Sequence, residues 1–306
     1  MNPKALVLGG SGFIGSHLAN NLIANGYNVT IIRRQLGKSN FYHLDPSCKI
    51  ISSSIQSEQE LQKLSIEWDF NIVINSCGYG DHTLFSNTSY DVIGSHLLGT
   101  INIVKMLNRN SLKKYIHIGS SEEYGQLQNP SSELLRESPI TPYAFAKTAS
   151  THFLQMLYRS EDFPAIILRP FLVYGENQFS AKLVPYVVDS CLQDRDFELT
   201  FGDQYREFVH IDDLVALVNI ILKSDWKNHN GKIYDVCSGD VLTVSGLVHL
   251  VQDIVGKGNP KFGARKKLIS DIFLLYSGSN NLFNDYSWRA KISIEEGIRR
   301  MIKSRS

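Results

Sequence analysis

No apolar run in this chain approaches the roughly 20 residues that a membrane-spanning helix needs. The opening Met-Asn-Pro-Lys-Ala-Leu-Val-Leu-Gly-Gly is too short in apolar residues, and too soon broken by glycine, for a secretory leader. Cysteine is sparse: Cys48, Cys77, Cys191 and Cys237 are scattered, with no C-x-x-C pair. That excludes a disulfide framework, suits a reducing cytosol, and leaves each thiol the reading of a small buried side chain. A dominant charge is missing too. The 31 basic and 30 acidic residues leave a net charge of +1, so no strong field points to nucleic acid as a partner. Internal repeats and low-complexity segments are absent, and no metal-binding pattern is present. What remains is a globular composition of 306 residues, 43% hydrophobic and 20% charged. It predicts a cytoplasmic protein, without membrane partners, built as one large or two interlocked domains.

Within that frame the first half alternates short apolar runs with helical periodicity. Ala5–Leu8 reads as a buried parallel strand. Gly9-Gly10-Ser11-Gly12-Phe13-Ile14-Gly15 follows it, and Ser16–Asn25 has a helical pattern. A glycine turn between strand and helix lets backbone N–H groups approach a pyrophosphate at a helix N-terminus. The spacing is G-x-x-G-x-x-G, and the flanking strand and helix carry the dinucleotide reading against that of a mere tight turn. Val29–Ile32 is the next strand and ends in Arg33-Arg34. A carboxylate at this point would suit the ribose 2′-hydroxyl of NAD(H), whereas arginine accommodates a 2′-phosphate. The pair therefore favours NADP(H) over NAD(H), against the alternative of a solvated basic strand end.

Further strands are predicted at Ile50–Ile51, Ile72–Asn75, Tyr115–Ile118 and Ala165–Leu168, with a long helix over Ser89–Asn108. Small residues in Cys77-Gly78-Tyr79-Gly80 suit close passage of backbone beside a cofactor. His96, on the long helix, reads as packed or hydrogen-bonded rather than catalytic. The loop Gly119-Ser120-Ser121-Glu122-Glu123-Tyr124-Gly125 leaves a strand's carboxyl end, where chemistry resides in open α/β sheets. A serine there can hold a substrate oxygen, and Glu122 can take a carbon-bound proton; the alternative is a polar surface loop. In Thr141-Pro142-Tyr143-Ala144-Phe145-Ala146-Lys147, threonine can cap a helix whose first turn accepts proline. Tyr143 and Lys147 then share one face. A phenol has a pKa of about 10, and an adjacent ammonium is expected to lower it for proton transfer at neutral pH.

Taken together, GGSGFIG at Gly9–Gly15, SSEEYG at Ser120–Gly125, YAFAK at Tyr143–Lys147, RPFLVYG at Arg169–Gly175, KLVP at Lys182–Pro185, REFVHIDD at Arg206–Asp213, YDVCSG at Tyr234–Gly239 and W-x-x-K-I-S-I-E-E-G at Trp288–Gly297 form one ordered series. The chain resembles the extended short-chain dehydrogenase/reductases that act on nucleotide-diphosphate sugars: epimerases, 4,6-dehydratases and 4-keto-sugar reductases. The resemblance runs from Leu6 to about Met301. It implies an α/β fold, a Rossmann-type doubly wound parallel sheet with a smaller α/β C-terminal substrate lobe. The cofactor domain would span 1–175, with 208–237 returning to it; 176–207 and 238–306 would form the lobe. Tyr143 would be the acid/base, Lys147 would bind the nicotinamide ribose, and Ser120 would hold the sugar oxygen, with Glu122 as a further catalytic group. Gly9, Gly12, Phe13, Ile14, Gly15, Arg33, Arg34, Ile55, Tyr143 and Lys147 would meet the cofactor. Ser121, Asn177, Lys182 and Arg206 would meet the sugar nucleotide, whose diphosphate favours cationic partners. A homodimer through the helices near Ser89–Asn108 and Tyr143–Tyr158 is also implied.

The sequence departs from the family's pattern in places. His96 replaces the Asn of N-x-x-G-T, Ser54-Ile55 the usual Asp-Leu, Leu172 the Asn of R-x-F-N, and Ala146 the usual Ser; R-P-x-E is not legible in 265–271. The leading functional expectation is an NADPH-dependent reductase of a 4-keto-6-deoxy nucleotide sugar in deoxysugar biosynthesis. The alternative is a 4-epimerase or 4,6-dehydratase that recycles its cofactor, for which Ser120-Ser121-Glu122 also fits. A dinucleotide-sensing regulator on the same fold is the third class; the intact Ser120, Tyr143 and Lys147 argue against it.

Overall fold

Strands rich in β-branched residues and shielded on both faces build the first half of the chain. A computed structural model describes residues 2–34, 44–78, 83–126, 131–225, 228–268 and 270–305. In it β1 (Lys4–Leu8), α1 (Phe13–Ala24), β2 (Asn28–Arg33), β3 (Lys49–Ser52), α2 (Glu58–Gln62) and β4 (Ile72–Asn75) come first. Then α3 (Ser89–Ile93) runs through a π turn (Gly94–Leu98) into α4 (Gly99–Met106), followed by β5 (Lys114–Ile118), a 3-10 turn (Ser121–Tyr124), α5 (Pro142–Glu161) and β6 (Ala165–Pro170). The predicted single helix over Ser89–Asn108 is thus one helical run interrupted by a wider turn.

The remainder is shorter-stranded: β7 (Leu172–Tyr174), α6 (Leu183–Leu192), β8 (Asp196–Glu198), β9 (Tyr205–His210), α7 (Ile211–Lys223), β10 (Ile233–Val236) and β11 (Val241–Thr243). α8 (Val244–Val255), β12 (Asn259–Lys261), β13 (Leu274–Leu275), α9 (Asn281–Tyr286) and α10 (Ile294–Arg305) complete it. Among the described residues no helix is long and apolar enough to cross a membrane.

The seven-stranded sheet has the order β10-β6-β5-β4-β1-β2-β3. The neighbours from β6 to β3 pair in parallel. From β1 the chain fills one side of the sheet with β2 and β3, then returns to place β4 on β1's other edge. The crevice beyond the carboxyl ends of β1 and β4 is therefore the topological switch point, where open α/β sheets bind ligands. The core between sheet and helices includes Leu6, Val73, Ile103, Tyr115, Leu154 and Ile167, all essentially inaccessible.

The chain divides into two compact units: 1–123, 137–169 and 218–234 form the first, and 124–136, 170–217 and 235–306 the second. These cuts differ from the domain boundaries expected above. Residues 124–136 and 170–175 fall in the second unit, and only 218–234 of the returning segment stays with the first. In the second unit β9 is the centre of a four-stranded sheet with β7, β11 and β13. Its own core gathers Val187, Phe197, Phe208, Val248, Ile298 and Met301.

Candidate active site

The glycine turn after β1 is shaped by close backbone approach. Gly9 has φ +72°, and a Cβ there would lie 2.7 Å from the Ser76 carbonyl oxygen. A Cβ on Gly15 would overlap the Gly9 carbonyl, so any side chain at 15 would push α1 off the turn. Gly12 N–H donates to Gly9 O at 2.9 Å, and Gly12 occupies the N-cap of α1 without a side chain to cap it. The first helical residues, Phe13, Ile14, Gly15 and Ser16, carry no carboxylate. A bare helix start of this kind, at the switch point, fits the diphosphate of a dinucleotide. Arg33, the last residue of β2, and Arg34 beside it are half-buried. Ile55 behaves otherwise: its side chain is 5% exposed and belongs to the first unit's core, where it fills the space that Gly99 leaves open. Of the loop after β4, Cys77 and Gly78 are described, and Tyr79 and Gly80 lie outside the described residues.

Thr141 caps α5 as its position implies: its Oγ1 accepts the Ala144 N–H at 3.1 Å, and Pro142 occupies the first turn. This start places Tyr143 and Lys147 on the face that looks to the end of β5. Tyr143 is half-buried, with the Ser120 side chain close enough to act on its phenol. Ser120 Oγ also accepts the Glu122 N–H at 3.2 Å, closing the turn that carries both residues. Ser121 is buried at the start of the 3-10 turn, and Glu122 is half-buried. Lys147 is 4% exposed, and its ammonium donates to the Ile118 carbonyl at 2.6 Å and the Cys77 carbonyl at 3.5 Å.

Electrostatics alter one expectation. Burial, reinforced by the charges of Glu122 and Glu123, raises the Tyr143 phenol above its usual range, and the Ser120 side chain only partly opposes this. The ammonium of Lys147 is directed to two backbone carbonyls, and no lowering of the phenol by it offsets the burial. Burial pushes Lys147 itself down to about 8, against the opposing charge of Glu123. The protein alone thus holds a neutral phenol. A proton leaves it readily only when a positive charge or the substrate's own oxygen is brought to it.

His96, set aside in the sequence, sits at the centre. It is 3% exposed in the π turn, with its ring edge-on to Tyr143 at 5.1 Å between centroids. Burial and the nearby Lys147 charge hold its pKa well below the usual value, so it is neutral. It also packs into the space over Gly78, where a Cβ would fall inside the imidazole. Its place in N-x-x-G-T was the available signal; the π turn had none.

Asn177, Lys182 and Arg206 lie in the second unit. Asn177 is exposed with φ +64°, a conformation Asn tolerates better than most residues. Lys182 is exposed at the N-cap of α6. Arg206 is half-buried on β9, its guanidinium donating to Tyr205 O at 2.8 Å and Phe273 O at 3.4 Å.

A family model described as the NAD dependent epimerase/dehydratase family matches residues 5–237. A protein of Methanocaldococcus jannaschii assigned as a UDP-glucose 4-epimerase is 28% identical, with 97% of this chain and 96% of that protein covered. The human dTDP-D-glucose 4,6-dehydratase is 25% identical, with 98% and 89% covered. Among solved structures, the UDP-glucose 4-epimerase of Thermotoga maritima, crystallised with UDP-glucose, superposes with a TM-score of 0.89 over 98% of both chains at 22% identity. The Bacillus cereus UDP-glucuronic acid 4-epimerase, in complex with UDP-glucuronic acid and NAD, gives 0.87 at 23% identity over 98% of both. At these identities the two structures establish the shared fold.

Proposed function

Since the chain belongs to the NAD dependent epimerase/dehydratase family, we propose that it epimerises a nucleotide-diphosphate hexose at C4 by transient oxidation. The observation that carries this reading is the grouping of Tyr143 with the Ser120 turn and a buried Lys147 at the carboxyl edge of the sheet. Bound nicotinamide would supply the site that takes and returns hydride. The chain's own part is proton handling. Tyr143 takes the C4 hydroxyl proton as the C4–H bond breaks and gives it back when that bond reforms on the other face; Ser120 holds the same oxygen throughout. Gly9, Gly12, Phe13, Ile14 and Gly15 would cradle the cofactor diphosphate, and Lys182 and Arg206 would meet that of the sugar nucleotide.

This replaces the net reduction of a 4-keto sugar as the leading reading. The epimerases and dehydratases among the relatives support a recycled cofactor over a consumed one. A second reading, 4,6-dehydration, is favoured by Glu122, whose half-buried carboxylate acts on Tyr143 from the same turn and suits removal of the C5 proton. Purified protein should be given UDP-glucose, UDP-galactose and dTDP-glucose in deuterium oxide without added reductant, and the products read by NMR. The 4-epimer free of solvent deuterium supports the first reading. A 4-keto-6-deoxy sugar deuterated at C5 supports the second. In a parallel assay with NADPH and the corresponding 4-keto sugars, stoichiometric NADPH loss, with no reaction of the parent sugars, overturns both.

For the cofactor we propose NADP(H), with the 2′-phosphate met by Arg33 and Arg34 at the end of β2. Arg33→Asp should weaken NADP+ binding at least tenfold in calorimetry while leaving NAD+ within about threefold; equal loss of both would refute the assignment.

A further inference from the structure

Beneath the Ser120 turn lies a cluster of charged side chains that the proton chemistry does not use. Glu123 and Arg169 are both fully inaccessible. Glu123 Oε2 accepts from Arg169 Nη2 at 2.7 Å, Arg169 Nε at 3.0 Å and Thr151 Oγ1 at 2.9 Å. Its other oxygen, Oε1, accepts the Ser120 N–H at 2.9 Å, while the Glu123 N–H donates back to Ser120 O at 3.1 Å. Arg169 Nη2 reaches Glu137 Oε1 at 2.6 Å, and Glu137 in turn meets the exposed His152. Gly119 makes room for this arrangement, since a Cβ there would stand 2.5 Å from Glu123 Oε1.

One carboxylate therefore joins three pieces of the site: the backbone of Ser120, the α5 helix that carries Tyr143 and Lys147, and β6 through Arg169. We propose that Glu123 is a positioning residue, whose two oxygens lock the Ser120 turn to α5 and so fix the distance between the Ser120 hydroxyl and the Tyr143 phenol. The bare alternative is a buried ion pair that only supports the fold. Buried pairs are often neutral or worse for stability than apolar residues of the same size, so stability alone is a weak reason for one directly under a reacting hydroxyl. Every neighbour named at the two oxygens is a donor. A carboxylate serves all of them, whereas the isosteric amide presents an NH2 at one end and must repel a donor there.

The proposal rests on the nucleotide-sugar reading only for its kinetic readout. Glu123→Gln should lower kcat for the sugar nucleotide about tenfold to a hundredfold with little change in KM. Glu123→Leu/Arg169→Met, which replaces the pair by apolar residues of similar bulk, should show the same split with a Tm near that of the wild type. In that background Ser120→Ala should cost less than threefold, although it costs far more in the wild-type chain, because the hydroxyl is already misplaced. Equal cost of Ser120→Ala in both backgrounds would overturn the proposal. A crystal structure of the Glu123→Gln variant decides the matter without turnover: a displaced Ser120 hydroxyl supports it, and an unmoved Ser120–Tyr143 contact overturns it. Should the wild-type chain turn over none of the sugar nucleotides, the functional reading fails while the crystallographic result still judges Glu123.

Discussion

At the scale of single residues, the site is governed by what burial does to two ionisable groups. Tyr143 is held protonated by burial and by Glu122. Removing that charge should lower the phenol's pKa, so in Glu122→Gln the ascending limb of the kcat/KM profile for C4 oxidation should move to lower pH. A limb that stays put or moves up would mean that Glu122 does not act on Tyr143. Lys147 shows the opposite sign. Its folded pKa of about 8 lies below the 10.5 of the free side chain, so the unfolded chain holds more protons between these values. Stability should therefore rise as pH climbs from about 8 towards 10.5, and the cost at neutral pH is about 3 kcal/mol. Lys147→Met should abolish turnover and yet raise Tm at pH 7, less about 1 kcal/mol for the lost bond to the Ile118 carbonyl. That variant should also lose the alkaline rise in denaturant titrations. The Tyr–Lys pair and its capped helix start were legible because Thr141, Pro142 and a four-residue spacing leave few other readings. The direction of the phenol's shift was not legible, because it depends on how deeply the ring is buried and on a buried Glu123 that the sequence shows only as one of two adjacent glutamates.

At the scale of elements, periodicity located the strands of the main sheet to within a residue or two, since strands buried on both faces are written in apolar residues. It missed most of the second unit's strands. These are two to six residues long, and several are half-buried, too short for an alternating pattern to stand out. The π turn also escaped, because a helix with one widened turn keeps nearly the same apolar spacing. Its effect is to swing His96 across to Gly78 and Tyr143. Gly78 has φ +132° and no space for a Cβ. Gly78→Ala should cost at least about 2 kcal/mol of stability in denaturant unfolding, and His96→Ala on top of it should restore part of that by clearing the imidazole. No recovery would show that backbone strain alone sets the cost.

For the whole molecule, the doubly wound sheet and a second, smaller unit were foreseeable from alternation followed by its loss, but the points of division were not. A segment such as 124–136 joins the second unit although it sits between two elements of the first, and nothing local in its residues announces that. Assembly belongs to this scale too. Tyr90 and Leu98 on the run from α3, with Phe145 and Met156 on α5, are large apolar side chains left exposed on elements of one unit. On that ground we propose a homodimer through these helices, as the resemblance implies. Light scattering should give twice the chain mass, and Tyr90→Glu/Met156→Glu should halve it; a wild-type chain of single mass would end that idea.

The order of strands in the sheet bears on how the protein is made. β1, the earliest of the seven strands in the sequence, lies inside the sheet, and β10, the neighbour of β6, is encoded only after the 170–217 segment of the second unit. A growing chain that has reached β6 therefore carries a bare, apolar flank with hydrogen-bonding groups unmatched until residue 233 emerges. This is the interval in which neighbouring nascent chains would stick to one another, and in which a chaperone would have most to shield.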